Sequence, residues 1–167
     1  MKLRLVYIIL FLLGLQSSAQ ESLQQLLNTY NTRSIPYISV EELRMLQLND
    51  EVYILDAREF EEYEVSRIPG GLFIGFSDFS SEMITEKIPD SDRTIVVYCS
   101  LGIRSEEIGE KLRKAGYSNI RNLYGGIFEW KNNGYPIVDS EGNETEKVHS
   151  FSKAWSKWLT NGEKVYE

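Results

Sequence analysis

The 167-residue chain is poor in the residues that usually staple or metallate small proteins: one cysteine, Cys99, one histidine, His149, and four prolines. A single cysteine excludes any disulfide within the chain and any Cys-rich zinc site. A single histidine excludes a His-based metal cluster and leaves Cys99 with no neighbouring imidazole. Positive charge is also short. Lys and Arg number 18 against 25 Asp and Glu, a net −7, which argues against nucleic acid as a partner. Neither a cofactor nor a metal is expected, and no repeat or low-complexity tract is present. What remains is ordinary globular material, 42% hydrophobic and 26% charged, long enough for one domain with a proper core.

The longest apolar run is at the start. Lys2 and Arg4 precede an apolar stretch from Leu5 to Leu15, and small residues follow at Ser17 and Ala19. This is the layout of a secretory signal peptide, cleaved after Ala19, and the run is short for a membrane span. No cysteine lies near the cleavage point, which excludes a lipoprotein anchor. The expectation is an exported, periplasmic bacterial protein with no membrane association once the signal is removed. Loss of Lys2 and Arg4 takes the net charge from −7 to −9. The mature chain is therefore acidic.

Beyond the signal, Leu23, Leu26, Leu27 and Tyr30 recur at helical spacing and predict a peripheral helix in an extension over 20–36. Ser39 with Glu42 forms a capping-box pattern that opens a helix to about Leu48. Val52–Leu55 reads as a buried strand delivering Asp56 and Arg58 at its C-terminal end. A short charged helix over 59–65, a turn at Ile68-Pro69-Gly70-Gly71 and a short strand over 72–74 come next. Helix 77–87, loop 89–92, strand 94–98, helix 104–114 and strand 120–123 complete the alternation. The pattern predicts an α/β fold with a small parallel sheet of about five strands and helices on both faces. After the polar stretch over 139–145, Phe151, Trp155, Trp158 and Leu159 predict an amphipathic helix packing back on the domain.

In such sheets ligands bind outside the carboxyl ends of the strands. Asp56, Arg58 and Cys99 all fall at such ends. Val96-Val97-Tyr98-Cys99-Ser100-Leu101-Gly102-Ile103-Arg104-Ser105-Glu106 is a strand, a thiol, a tight loop and a helix start in succession. That order describes an anion-binding cradle with a nucleophile at its base.

Three stretches resemble the rhodanese superfamily, sulfurtransferase domains that carry sulfane sulfur as a cysteine persulfide. Leu55-Asp56-Ala57-Arg58-Glu59-Phe60-Glu61-Glu62-Tyr63 with Ile68-Pro69-Gly70-Gly71 resembles the N-terminal signature. Tyr98–Ser105 resembles the active-site loop, and Leu123–Trp130 with Gly134-Tyr135-Pro136 resembles the C-terminal signature. The resemblance covers residues 37–138; the segments 20–36 and 139–167 lie outside it. One departure is Arg67, where the family usually has a histidine. That position normally lies away from the sulfur, so little chemical effect is expected.

The resemblance implies a sulfurtransferase taking sulfur from thiosulfate or a persulfide donor to a thiophilic acceptor, through a persulfide on Cys99. With no histidine beside Cys99, the loop itself must stabilise the thiolate. Backbone N–H groups from Ser100, Leu101, Gly102, Ile103, Arg104 and Ser105 can form a nest around the sulfur, with Gly102 supplying the unusual backbone angles. The start of the following helix adds partial positive charge. Ser100 and Ser105 either donate to the persulfide or cap that helix. Arg104 suits the sulfonate end of thiosulfate, or else pairs with Glu106, Glu107 or Asp56. Asp56 and Arg58 are expected as a wall beneath the loop, with Arg58 and Glu62 as a structural ion pair. Two other readings stay open: a binding or persulfide-carrier module without catalysis, and, more remotely, a phosphatase. Phosphatases on this fold need a loop one residue longer to surround a phosphate.

Overall fold

The computed structural model describes residues 23–88 and 93–166. The residues expected to form an export signal and the whole of the loop expected over 89–92 lie outside the described residues. Two compact units divide between Thr32 and Arg33. In the first, residues 23–30 form helix α1, with Leu23 and Leu27 buried and Tyr30 exposed. No helix among the described residues is long and apolar enough to cross a membrane.

The second unit carries the sheet. Its strands are β1 (Tyr37–Ile38), β2 (Val52–Asp56), β3 (Gly71–Phe73), β4 (Thr94–Tyr98) and β5 (Ile120–Leu123). They lie in the order β1-β5-β4-β2-β3, and every pairing is parallel. Strand β4 sits in the middle, and Ile95, Val96, Val97 and Tyr98 are all fully buried. Burial on both faces explains why this strand reads as a continuous apolar run instead of an alternating one. One face packs Leu55, Ile95, Val97, Ile108, Leu112 and Ile120 into a single cluster.

The crossovers are α2 (Val40–Leu48), α3 (Phe60–Val65), α4 (Ser81–Lys87) and α5 (Arg104–Lys114), and α6 (Gly126–Asn132) follows the last strand of the sheet. Ser39 and Glu42 form the anticipated reciprocal capping box on α2, with side-chain bonds of 3.2 and 3.1 Å. Helix α4 begins four residues later than expected, because 77–78 form a turn and Ser80 is extended before Ser81.

The C-terminal segment departs from expectation. Residues 137–165 form two small strand pairs, β6 (Ile137–Val138) with β7 (Glu144–Thr145) and β8 (Lys147–His149) with β9 (Glu163–Val165). The amphipathic helix expected from Phe151, Trp155, Trp158 and Leu159 is only a three-residue 3-10 turn, Ser156–Trp158. Its backbone cannot extend: Phe151 takes φ +59°, and Asn132 captures the N–H groups of Thr160 and Asn161. The aromatic spacing is that of a turn flanked by strands.

Candidate active site

Cys99 is the first residue after β4, and the parallel order places it at the carboxyl edge of the central strand. The sulfur is fully buried. The Gly102 N–H donates to Sγ at 3.1 Å, and Gly102 has φ +105°, a region that disfavours any residue with a Cβ. Ser105 Oγ lies 3.5 Å from Sγ and 2.7 Å from Asn122 Oδ1; its single proton serves one of the two at a time. Leu101 is buried and Ile103 half-buried, closing the loop against the core. Arg104 opens α5, whose positive dipole end lies at the thiol, and the Ser105 N–H of its first turn bonds the sulfur.

Burial pushes the Cys99 thiol up. The charge of Arg104 and the hydrogen bonds from Ser105 and Gly102 outweigh it and hold the thiol below its ordinary value. The loop thus favours a thiolate without a general base, which is the state a sulfur nucleophile needs.

The charged residues sort into two networks, and the pairing differs from the expected one. Arg58 does not pair with Glu62. Its Nε and Nη2 grip both carboxylate oxygens of Asp56 at 2.9 and 2.6 Å, and Nη2 also bonds the Ser66 carbonyl at 2.6 Å. Arg58 lies in a bend before the helix and Glu59 is extended, so the i,i+4 proximity to Glu62 that a helix would create does not arise. Tyr98 Oη donates to Asp56 Oδ2 at 2.6 Å and accepts the Ile68 N–H at 3.2 Å. This first network ties β2, β4 and the turn before β3 together beneath Cys99, as a wall.

Glu62 belongs to the second network, with Arg104. Arg104 Nη1 and Nη2 meet Glu62 Oε2 and Oε1 at 2.6 and 2.9 Å, a bidentate fork between nearly buried side chains. Ser100 Oγ donates to Oε1 at 2.9 Å, and the Glu59 N–H donates to Oε2 at 3.0 Å. Burial pushes the Glu62 carboxyl up, yet the Arg104 hydrogen bonds and charge hold it below the usual carboxylate range. The Arg104 fork is therefore engaged by Glu62, in place of Glu106, Glu107 or Asp56. Its Nε is buried without a partner. Arg67 stacks on the Tyr63 ring and bonds the Ser140 carbonyl at 3.1 Å.

Several residues complete the site without having been singled out by sequence. Asn122, fully buried in β5, donates to the Gly102 carbonyl at 2.8 Å while accepting from Ser105, so one amide braces both ends of the loop. The N–H groups of Ile127 and Phe128 at the start of α6 bond the carbonyls of Cys99 and Ser100 at 2.9 and 3.3 Å. That approach needs glycine: a Cβ on Gly126, at φ +57°, would meet the Cys99 carbonyl oxygen at 2.2 Å. Phe76 and Phe151 cover the Arg104 guanidinium, 6.0 and 4.7 Å from their ring centres. An Asn within a strand pattern and an aromatic in a distant tail carry no signal that spacing alone would expose.

Comparison with known proteins agrees with this geometry. A sulfurtransferase of Allochromatium vinosum is 36% identical over 93 residues, 56% of this chain and 84% of its own. Among solved structures, a rhodanese-related protein of Thermoplasma volcanium is 30% identical with a TM-score of 0.52, over 62% of this chain and 97% of its own. The thiosulfate sulfurtransferase of Pseudomonas aeruginosa is 28% identical with a TM-score of 0.58, over 76% of this chain and 24% of its own. The chain spans about half the length, or less, of several curated relatives it matches. The family model of the rhodanese-like domain matches residues 39–133, more than half the chain and the whole of the Cys99 cradle, and the chain belongs to that family.

Proposed function

We propose that the protein is a sulfurtransferase that moves sulfane sulfur from thiosulfate or a persulfide donor to a thiophilic acceptor through a persulfide on Cys99. The observation that carries this is the buried sulfur at the helix start, held by the Gly102 N–H and Ser105 and poised below its ordinary pKa. The names of the relatives support the same chemistry. The Cys99 thiolate attacks the outer sulfur of thiosulfate, the S–S bond breaks, and sulfite leaves with the electron pair. A nucleophile such as cyanide then attacks the outer persulfide sulfur, leaving as thiocyanate and restoring the thiolate.

The N–H groups of Gly102 and Ser105 receive the negative charge of the persulfide, because they already bond Sγ. Arg104 contributes through its field on the sulfur; its fork toward Glu62 leaves Nε as the donor for an incoming oxyanion. The signal-like residues 1–19 lead us to place this chemistry outside the cytoplasm of a bacterium, on a chain cleaved after Ala19. The test is a thiosulfate-to-cyanide assay. Wild type should form thiocyanate and Cys99→Ser should form none. Equal turnover by both, or none by wild type with either donor class, refutes the reading. A mature N-terminus at Gln20 in the periplasmic fraction checks the export step.

A further inference from the structure

We propose that residues 147–165 form a strap whose tip, Phe151, decides how large a reagent can reach Cys99. The inference rests on Cys99 being the reacting sulfur. The strap lies wholly outside the family match over 39–133. Its flanks are anchored: Val148, Ser150 and Leu159 are buried, β8 packs against α3, and Asn132 on α6 holds Trp158, Thr160 and Asn161 by hydrogen bonds of 2.7–3.1 Å. Between these anchors the chain turns sharply at Phe151.

Three observations make the tip a cover. The ring lies 4.7 Å from the Arg104 guanidinium, so the face an anion would approach is occupied by an aromatic. Arg104 in turn touches Ser100, one residue from a thiol that is fully buried. A reagent that approaches along Arg104 must therefore pass this rim or displace it. Phe151 also sits at φ +59°, a strained backbone for an aromatic residue, and is 44% exposed. It is held there by stacking on Trp155 at 4.7 Å and by its N–H on His149 Nδ1 at 3.2 Å. Strain at an exposed tip between fixed flanks means that little has to be broken for the ring to swing away. Closed, the rim passes small donors; larger acceptors require the tip to open.

Because Cys99 is the only cysteine, thiol labelling of the full chain reads this site alone. Two rates are compared, with iodoacetamide as the small reagent and fluorescein maleimide as the bulky one. Phe151→Ala should raise the bulky-to-small rate ratio about tenfold, the scale of losing one cation–π contact from the closed state. Trp155→Ala, which leaves the ring in place without its support, should raise the ratio in the same direction, and Phe151→Tyr should keep it near wild type. An unchanged ratio in Phe151→Ala, whether both rates stay put or rise together, overturns the proposal. The assay needs only a thiolate. A protein that is labelled with this selectivity but never takes up sulfur sinks the sulfurtransferase reading and leaves the strap, and one that carries sulfur with an unchanged ratio does the reverse.

Discussion

Replacing Glu62 with Gln should destabilise the protein and, at the same time, make Cys99 more acidic. Four donors converge on the Glu62 carboxylate: both Arg104 nitrogens, Ser100 and the Glu59 N–H. Gln keeps one acceptor oxygen and turns the other into an amide NH2 that faces donors. Breaking one partner of a buried ion pair costs about 3–5 kcal/mol, and the retained oxygen brings the expected loss to roughly 2–3 kcal/mol. For a domain of this size that is about 5–10 °C in Tm. The uncompensated Arg104 charge then acts more strongly on the thiol. The midpoint of the iodoacetamide rate against pH should fall by about one unit, equivalent to about 1.4 kcal/mol between protonation states. Arg104→Gln removes the cation and should move the midpoint upward instead. If both variants shift the midpoint the same way, the electrostatic account of the thiolate is wrong.

The remaining predictions concern the supports of the loop. Gly126→Ala places a methyl against the Cys99 and Ser100 backbone at a positive φ and should cost about 3 kcal/mol or more, whereas Gly102→Ala, with its nearest contact at 3.1 Å, should cost less; chemical denaturation ranks them. Asn122→Ala leaves the Gly102 carbonyl buried without its partner, for about 1–3 kcal/mol, yet frees the Ser105 proton for Sγ, so the thiol midpoint should fall and not rise. Glu62 has a depressed folded pKa, so its contribution to stability is present above the ordinary carboxylate pKa and disappears as pH falls through the depressed one. Melting curves across the acid range should show that loss in wild type and a flatter limb in Glu62→Gln.

Much of this molecule was legible because local and global preferences coincide. The apolar run of β4, the Ser39 capping box and the glycine-bearing loop after Cys99 each specify their own geometry within a few residues. The Arg104–Glu62 pair is set by the parallel adjacency of β2 and β4, which brings together residues on different crossovers. Sequence spacing instead suggested Arg58 with Glu62, a pairing that holds only when both residues lie on one helix. Asn122 was hidden because a polar residue in a strand reads as its solvent side, although here both faces of the sheet are covered. The tail misled for a related reason. Aromatics at three- and four-residue spacing suit a helix, but β8 and β9 pair on either side of them and Phe151 sits at positive φ.

The central claim is that Cys99 carries sulfur covalently. It is tested most directly by intact-mass measurement after incubation with thiosulfate and no acceptor, with released sulfite measured in parallel. Wild type should gain the mass of one sulfur atom per chain, release one equivalent of sulfite, and lose the added mass on addition of cyanide, while Cys99→Ser gains nothing. A wild-type chain that keeps its original mass with thiosulfate and with a persulfide donor alike would contradict the account.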